Sequence, residues 1–203
     1  MLYLIRHGET AWNKERRFQG QMDIPLSQHG IEQAITLGKH MRDIPLDVIY
    51  SSPLKRAHQT AQHIHHHHPS IPFHTHESLK ERSYGTLEGK LLEDIIVLYP
   101  SLTFEQSWLY ATVKAPEGES LMDVKSRAEK IIATILREHK GKHIAIVSHG
   151  ITIRVMIHII TNIPLIETGT YSFSNTAITI IEYDEKEGGT LHVLNHTKHL
   201  KET

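Results

Sequence analysis

The sequence predicts an α/β fold, a three-layer α/β/α sandwich with a central, mostly parallel sheet. Short apolar runs with the length of buried strands, such as residues 2–5 and 143–147, alternate with segments of helical period, such as residues 120–135. Strands that alternate with helices are typical of parallel sheets covered on both faces. The 203 residues contain no internal repeat and no linker, so we expect a single domain over residues 1–203.

Apolar period, capping residues and turn residues place the elements along the chain. Strands are predicted at residues 2–5, 47–50, 71–74, 143–147, 176–183 and 191–194. Helices are predicted after Ser27, from Pro53, near 91–98, after Ser120 and after His149. Serine caps helices, and proline at a first helical position loses no hydrogen bond. The pair Gly188-Gly189 is predicted to form the turn between the last two strands.

Composition and charge exclude several classes of function. Lys and Arg total 22 against 23 Asp and Glu, which gives no reason to expect nucleic acid or a membrane as partner. The absence of cysteine excludes disulfides, thiolate catalysis and cysteine-ligated zinc. The first apolar run is too short for a signal peptide, and no run approaches the ~18 apolar residues of a membrane-spanning helix. We expect a cytoplasmic protein, as a monomer or a homodimer.

Three predicted strand ends bring histidines and arginines toward one edge of the sheet. Arg6 and His7 follow the first strand, Arg56 follows the second, and His149 follows the strand at 143–147. Open α/β sheets bind ligands beyond the carboxyl ends of their strands. Each of these residues alone is more often structural, solvated or ion-paired, but their convergence favours a shared site.

These residue types suit the transfer of a phosphoryl group. A guanidinium fork matches phosphate oxygens, so Arg6 and Arg56 are expected to neutralise a phosphomonoester dianion. A neutral imidazole is a competent nucleophile near pH 7, so His7 needs no metal to attack phosphorus. A protonated His149 would add positive charge where the transition state spreads its negative charge.

A proton donor for the leaving oxygen is expected in the segment 79–89. Glu81 is the first candidate, because the same carboxyl group can afterwards deprotonate water for attack on the phosphohistidine. Chemistry alone leaves Glu88 as an alternative. Gly8 and Gly150 follow the two histidines and are expected to let the backbone come close to the phosphate.

Four motifs in order resemble those of the histidine phosphatase superfamily, the phosphoglycerate-mutase-like proteins, and together they span nearly the whole chain. They are Leu4-Ile5-Arg6-His7-Gly8-Glu9-Thr10, Ser51-Ser52-Pro53-Leu54-Lys55-Arg56-Ala57-His58-Gln59-Thr60-Ala61, the acid segment that begins at Glu81, and Val147-Ser148-His149-Gly150. An isolated Arg-His-Gly would be a weak signal, but the ordered set is specific. The resemblance implies the three-layer fold that the alternation of elements predicts.

The resemblance also implies a role for each site residue. His7 would be the phosphorylated nucleophile and Glu81 the proton donor. Asn13 and Gln19 would supply additional phosphate or substrate contacts. The phosphate pocket would consist of Arg6, Arg56, His149 and Gly150. The superfamily hydrolyses its substrates without a cofactor or a metal, so none is expected, and the partner would be a small phosphorylated metabolite.

Phosphatases and cofactor-dependent phosphoglycerate mutases of the superfamily share the phosphohistidine step and differ in the acceptor of the phosphoryl group. The mutases are usually longer, and residues 89–118 lack their arginine-rich stretch, which favours the broad-specificity bacterial phosphatases. Against this, the segment 81–85 is similar to the mutase form of the acid motif. Candidate substrates are phosphoserine, 3-phosphoglycerate, α-ribazole phosphate and other small phosphomonoesters.

Two further features affect specificity and alternative functions. Residues of about 78–118 are expected to form a lid or substrate-pocket insertion, with Trp108 and Tyr110 shaping the leaving-group pocket. The alternatives are a catalytically silent binding or regulatory member and a phosphoprotein phosphatase with an open groove. The run His65–His68 is expected to be a solvated helix end, because consecutive helical residues point in different directions and do not form one metal site.

Overall fold

A six-stranded sheet organises residues 1–100 and 111–201, the part of the chain described by this computed structural model. The strands are β1 (Leu2–Arg6), β2 (Val48–Ser51), β3 (Phe73–Thr75), β4 (Ile144–Ser148), β5 (Ile178–Asp184) and β6 (Gly188–His196). Their order is β3-β2-β4-β1-β5-β6, with the first four parallel, β5 antiparallel to β1, and β6 antiparallel to β5. The mostly parallel sheet is confirmed.

Helices cover both faces of this sheet. They are α1 (Ala11–Lys14), α2 (Gln28–Met41), α3 (Lys55–His65), α4 (Leu92–Leu98), α5 (Leu121–Glu138), α6 (Gly150–Thr161) and α7 (Leu165–Thr168), with short 3₁₀ turns at Glu77–Leu79, Gly85–Leu87 and Lys198–Lys201. Ser27 and Ser120 cap α2 and α5 as predicted, since each side-chain oxygen accepts a backbone N–H of the first turn. Across the described ranges, none of the helices has the length and apolar character needed to cross a membrane.

Alternate residues of β1 pack into two separate cores, because side chains of a strand point to opposite faces. Leu2 and Leu4 pack in the core that contains the apolar residues of α5 and α6. Tyr3 and Ile5 pack in the core that contains those of α2 and α3. The sheet is therefore the middle of three layers, as the sequence predicts.

A third, smaller core lies in the segment predicted as a lid. Tyr84, Leu87, Ile95 and Ala115 pack together, and the ring of Phe18 meets the edge of the Tyr84 ring at 4.4 Å between centroids. This cluster ties residues that follow β3 to the loop after α1. The lid role itself stays a prediction, and Trp108 and Tyr110 lie outside the described residues.

Two predictions of local structure were wrong. Pro53 does not begin a helix, because the backbone of Leu54 stays extended and the carboxylate of Asp23 accepts the N–H of Lys55 at 2.7 Å, where α3 begins. The pair Gly188-Gly189 opens β6 rather than forming the turn. The turn lies at residues 185–187, where Asp184 Oδ1 accepts the backbone N–H groups of two following residues.

Candidate active site

A cleft of about 300 Å³ lies beyond the carboxyl ends of β1 and β2. The predicted site residues that line it are Arg6, His7, Asn13, Gln19, Arg56 and Glu81. His149 joins them from β4, because its ring centroid lies 5.1 Å from that of His7. Parallel strands end at the same edge of the sheet, which brings together residues that are more than 140 positions apart in the sequence.

The ring of His7 is held in one tautomer. Its Nδ1 lies 2.7 Å from the carbonyl oxygen of Gly8, and because a carbonyl only accepts, Nδ1 carries the proton and Nε2 carries the lone pair. Burial, and then the charges of Arg56 and Arg6, lower the pKa of His7 well below its ordinary 6.5. The ring is therefore neutral at pH 7, with an electron pair on Nε2.

Neighbouring loops fix the backbone that carries His7. The carbonyl oxygen of His7 accepts Nδ2–H of Asn175 at 3.0 Å, and the N–H of Gly8 donates to Thr60 Oγ1 at 3.0 Å. Thr60 Oγ1 donates in turn to the carbonyl of Arg56, so α3 and the loop that carries His7 share one hydroxyl group. Thr60 belongs to a motif that the sequence singles out, whereas no signal in the sequence identifies Asn175.

His149 is fully buried, and its Nε2 lies 2.8 Å from Ser52 Oγ. Burial, and then the neighbouring Arg56, His7, Arg127 and Arg6, lower the pKa of His149 well below 6.5. The neutral ring is therefore favoured, whereas the positive charge considered from the sequence requires the protonated form. A charged His149 requires a nearby anion, because only an anion would offset the burial of its positive charge.

Two guanidinium groups, the buried one of Arg56 and the partly buried one of Arg6, complete the cationic part of the cleft. Arg56 donates from its two Nη atoms to the carbonyl oxygens of Gly20 and Met22, both at 2.8 Å, and Arg6 donates to the carbonyl of Phe173. Burial lowers the pKa of Arg6, and it lowers that of Arg56 to about 10, so both remain charged at pH 7. The buried Nε of each finds no hydrogen-bond partner among the described residues. Such unsatisfied donors suit the oxygens of an anion.

The carboxylate of Glu81 lies at the amino end of α6. It accepts the backbone N–H of Arg82 at 2.9 Å and, at 3.3 Å each, those of Ile151 and Thr152. Backbone N–H groups at a helix start carry partial positive charge, which holds a carboxylate in place. Glu81 is thereby positioned on one side of the cleft and His7 on another.

Glu88, the alternative proton donor, connects two loops through hydrogen bonds to their backbone. Its Oε1 accepts the N–H groups of Gln21 at 2.9 Å and Tyr84 at 3.0 Å. A Cβ on Gly20 would lie only 2.0 Å from the same oxygen, so the loop after α1 closes tightly on this carboxylate. Glu88 is not among the residues that line the cleft.

The amide groups of Asn13 and Gln19 both engage Thr10 through their oxygen ends. Asn13 Oδ1 accepts the N–H of Thr10 at 3.1 Å, and Gln19 Oε1 accepts its hydroxyl at 2.9 Å. Because each oxygen is turned toward Thr10, the NH₂ end of each amide is the part left for other contacts, in two residues that line the cleft. Amide NH₂ groups donate hydrogen bonds, as phosphate oxygens require.

The two glycines have different environments. A Cβ on Gly8 would lie 2.7 Å from the carbonyl oxygen of Gly30, so Gly8 allows the loop that carries His7 to pack on α2. A Cβ on Gly150 would meet no atom within 4 Å, and its backbone is regular helix. Packing therefore explains the first glycine and does not explain the second.

An ion pair that sequence reasoning missed supports the acid segment. The guanidinium of Arg127 donates to both carboxylate oxygens of Glu119, at 2.8 and 3.1 Å, and to the carbonyl oxygen of Glu81 at 3.0 Å. Glu119 also accepts the N–H of Ser83 at 2.9 Å. The signal available in the sequence was the charged residue Arg127 next to the apolar residues of α5, because a largely buried charge needs a partner.

Only His66 of the histidine run is exposed, and His65, His67 and His68 are partly buried, so the run is less solvated than the expected helix end. Nε2 of His65 lies 3.1 Å from the carbonyl oxygen of Ile71, and Nε2 of His68 lies 3.0 Å from that of Met41. These contacts point the two rings toward different segments. Within residues 1–100 and 111–201, no group of three or more residues with metal-ligand spacing includes any member of the run.

Comparisons with known proteins agree on one family. The model described as "Histidine phosphatase superfamily (branch 1)" matches residues 2–197. Phosphoserine phosphatase 1 of Hydrogenobacter thermophilus is 32% identical over 203 residues, which cover 99% of this chain and 94% of that protein. A probable phosphoglycerate mutase, GpmB of Salmonella arizonae, is 32% identical over 92% of this chain and 86% of its own length. A mutant phosphoserine phosphatase of Entamoeba histolytica, solved in complex with phosphoserine, matches with a TM-score of 0.85 and 30% identity over 98% of both chains.

Proposed function

This chain belongs to the histidine phosphatase superfamily (branch 1) and is a phosphatase, and we propose that it hydrolyses small phosphomonoesters through a phosphohistidine at His7. The observation that carries this mechanism is the tautomer of His7, whose Nδ1–H donates to the carbonyl of Gly8 and leaves the Nε2 lone pair as nucleophile. The low pKa of His7 keeps that lone pair unprotonated at pH 7.

In the first step, Nε2 of His7 attacks phosphorus as the bond from phosphorus to the leaving oxygen breaks. Protonated Glu81 donates its proton to that oxygen, so the product leaves as a neutral alcohol. The guanidinium groups of Arg6 and Arg56 offset the charge on the phosphoryl oxygens. His149 adds a hydrogen bond from Nδ1, a buried atom with no partner among the described residues.

In the second step, water replaces the imidazole on phosphorus. The Glu81 carboxylate left by the first step takes a proton from the water, whose oxygen bonds to phosphorus as the N–P bond breaks. The products are free phosphate, neutral His7 and a protonated Glu81 ready for another turnover. The same donors that hold the ester would hold the phosphoenzyme, so the arginines need not move between steps.

Two more arginines that line the cleft support a substrate with a second anionic group. Arg17 is held by the carbonyl of Gly89 at 2.8 Å and by Glu15 at 2.6 Å, whereas the side chain of Arg16 is exposed beside it. We expect Arg16 to attract a second anionic group on the substrate. A small phosphorylated acid such as phosphoserine or 3-phosphoglycerate fits this arrangement, and a relative and a solved neighbour are named for phosphoserine.

A cofactor-dependent phosphoglycerate mutase is the second candidate, favoured by the relative named GpmB. Its phosphoenzyme would pass the phosphoryl group to an alcohol rather than to water. The experiment therefore measures both products. Purified protein, treated with a chelator, is incubated with phosphoserine, 3-phosphoglycerate and p-nitrophenyl phosphate, and phosphate release and 2-phosphoglycerate formation are followed with and without 2,3-bisphosphoglycerate.

The phosphatase mechanism predicts phosphate release that survives chelation, is lost in His7→Ala and is retained in His29→Ala, whose side chain is exposed. Arg16→Ala should slow phosphoserine hydrolysis more than p-nitrophenyl phosphate hydrolysis, because only phosphoserine carries a carboxylate. Isomerisation faster than phosphate release would establish the mutase. No turnover of any substrate would favour a binding module.

A further inference from the structure

Three histidines that are distant in the sequence meet beside the last turn of the chain. His40 lies near the end of α2, His196 ends β6, and His199 belongs to the 3₁₀ turn Lys198–Lys201. One ring nitrogen from each lies within 4.8 Å of those of the other two. The ring of His40 stacks against both partners, with centroids 5.7 Å from His196 and 5.3 Å from His199. None of the three lines the catalytic cleft.

His199 is the most informative of the three, because its side chain is buried and only one of its two ring nitrogens has a hydrogen-bond partner among the described residues. Its side chain is 1% exposed, and its Nε2 lies 3.1 Å from Thr176 Oγ1. Its Nδ1 is buried and has no hydrogen-bond partner among the described residues. A buried polar atom without a partner requires a physical explanation.

The tautomer of His199 supplies that explanation. If Nε2–H donates to the hydroxyl oxygen of Thr176, the lone pair lies on Nδ1, the buried nitrogen that has no hydrogen-bond partner among the described residues. Histidines that ligate metals usually donate their other ring N–H in this way, which fixes the ring. Burial, and then the neighbouring His40 and His196, lower the pKa of His199 to about 4. At pH 7 the ring is therefore neutral, as a metal ligand must be.

We propose that His40, His196 and His199 form a binding site for a divalent transition-metal ion of the zinc class. Neutral imidazole nitrogens suit Zn²⁺, Ni²⁺ and Cu²⁺, whereas Mg²⁺ and Ca²⁺ prefer oxygen ligands. Three imidazoles leave a fourth tetrahedral position for water. The exposed side chain of His40 can turn to bring its nitrogen to bonding distance of an ion held by the buried ring.

The ion would have a structural effect rather than a catalytic one. It would join the end of α2 to the end of β6 and to the terminal turn that follows it. A ligand that binds the folded state alone raises stability in proportion to the logarithm of its concentration. Thr176 also donates its backbone N–H to the carbonyl oxygen of Arg6 at 3.0 Å, so the segment that orients His199 is attached to the end of β1.

The test is a Zn²⁺ titration of metal-stripped protein by calorimetry, with melting temperature as a second readout. Wild type should bind one Zn²⁺ per chain in its tightest step, and its melting temperature should rise with Zn²⁺. His40→Ala should lose both effects while keeping its fold, because His40 is exposed and its removal leaves no cavity.

The matched control is the double variant His66→Ala/His67→Ala, which removes two histidines of the run near the end of α3. This variant should still bind one Zn²⁺ tightly, and its melting temperature should still rise with Zn²⁺. The proposal is overturned if His40→Ala binds Zn²⁺ as wild type does, or if only the double variant loses the tight step. Phosphatase activity is not part of the readout, so failure of this proposal leaves the proposed hydrolysis untouched.

Discussion

The hydroxyl oxygen of Ser52, just beyond β2, lies 2.8 Å from Nε2 of His149, the residue that follows β4. The same hydroxyl oxygen accepts the N–H of Leu54 at 3.3 Å, which leaves its hydrogen for the ring. When Ser52 donates to Nε2, a neutral His149 carries its own proton on Nδ1. In that arrangement the serine of one motif sets the tautomer of the histidine in another, and Nδ1–H can donate to a phosphoryl oxygen.

Ser52→Ala should therefore weaken catalysis without unfolding the protein. Loss of a partner for a buried polar group costs about 1–3 kcal/mol, so we expect kcat/KM to fall about tenfold or more. The control is Ser51→Ala, because Ser51 is equally buried but donates to the carbonyl of Ser52 and not to His149. Equal losses of kcat/KM in the two variants would contradict the role assigned to Ser52.

Glu81→Gln should separate substrates by their leaving groups. Removing a general acid costs about 10²–10⁴-fold in rate, and we expect this loss for phosphoserine, whose alkoxide needs a proton. The first step with p-nitrophenyl phosphate should lose less, because nitrophenolate leaves without protonation. Burst kinetics on both substrates measure that step directly.

Glu88→Gln is the comparison for this experiment. It removes a charge that accepts the backbone N–H groups of Gln21 and Tyr84, so it should lower thermal stability. The folded fraction should keep the leaving-group dependence of wild type. If Glu88→Gln and not Glu81→Gln changed that dependence, the proton donor would have been assigned to the wrong carboxylate.

Arg127→Ala should reduce turnover through the position of Glu81. The guanidinium holds the carbonyl of Glu81 and pairs with Glu119, with both side chains of the pair about four-fifths buried. Truncation leaves a largely buried carboxylate unpaired, and we expect about 1–3 kcal/mol lower unfolding free energy together with a fall in kcat. Lys125→Ala on the same helix removes a more exposed pair with Glu129 and should change little. Denaturant unfolding and steady-state kinetics give both quantities.

Stability should fall as the pH falls below 6.5. Burial lowers the pKa of both His7 and His149, so in mild acid the unfolded chain binds protons at these positions and the folded chain does not. The unfolded state is then favoured by each further decrease in pH, until the lowered pKa of the folded state is reached. Urea midpoints at about pH 7.5 and about pH 5.5 measure the difference, which should shrink in His7→Gln/His149→Gln. An unchanged difference in that double variant would assign the effect to other groups.

Gly8→Ala and Gly150→Ala should have opposite effects on the stability of the folded protein. The first places a Cβ 2.7 Å from the carbonyl oxygen of Gly30 and should displace α2 or the loop that carries His7, lowering the melting temperature. The second meets no atom within 4 Å and should raise helix stability by up to about 1 kcal/mol. If Gly150 lets the backbone approach phosphate, Gly150→Ala should still raise KM for the substrate. An unchanged KM would remove Gly150 from the proposed pocket.

The sequence by itself determined the layered fold and the principal members of the cleft. Periodicity identifies strands and helices because burial is periodic along each of them. Parallel strand ends must share one edge of the sheet, so the positions of Arg6, His7 and His149 at such ends, and of Arg56 in the helix that follows β2, suffice to group them. Capping by Ser27 and Ser120 was predictable because each cap acts within one helical turn.

Only the tertiary structure decided relations between segments that are far apart in the sequence. Glu81 and Glu88 have the same chemistry, and the choice between them depends on which loop each carboxylate contacts. α3 begins at Lys55 rather than at Pro53, and the carboxylate that accepts the N–H of Lys55 belongs to Asp23, thirty-two positions earlier in the sequence. The pairing of Ser52 with His149 and the meeting of His40 with His199 arise the same way. Local sequence sets conformation residue by residue, whereas charges, tautomers and ligand sets depend on neighbours that packing alone supplies.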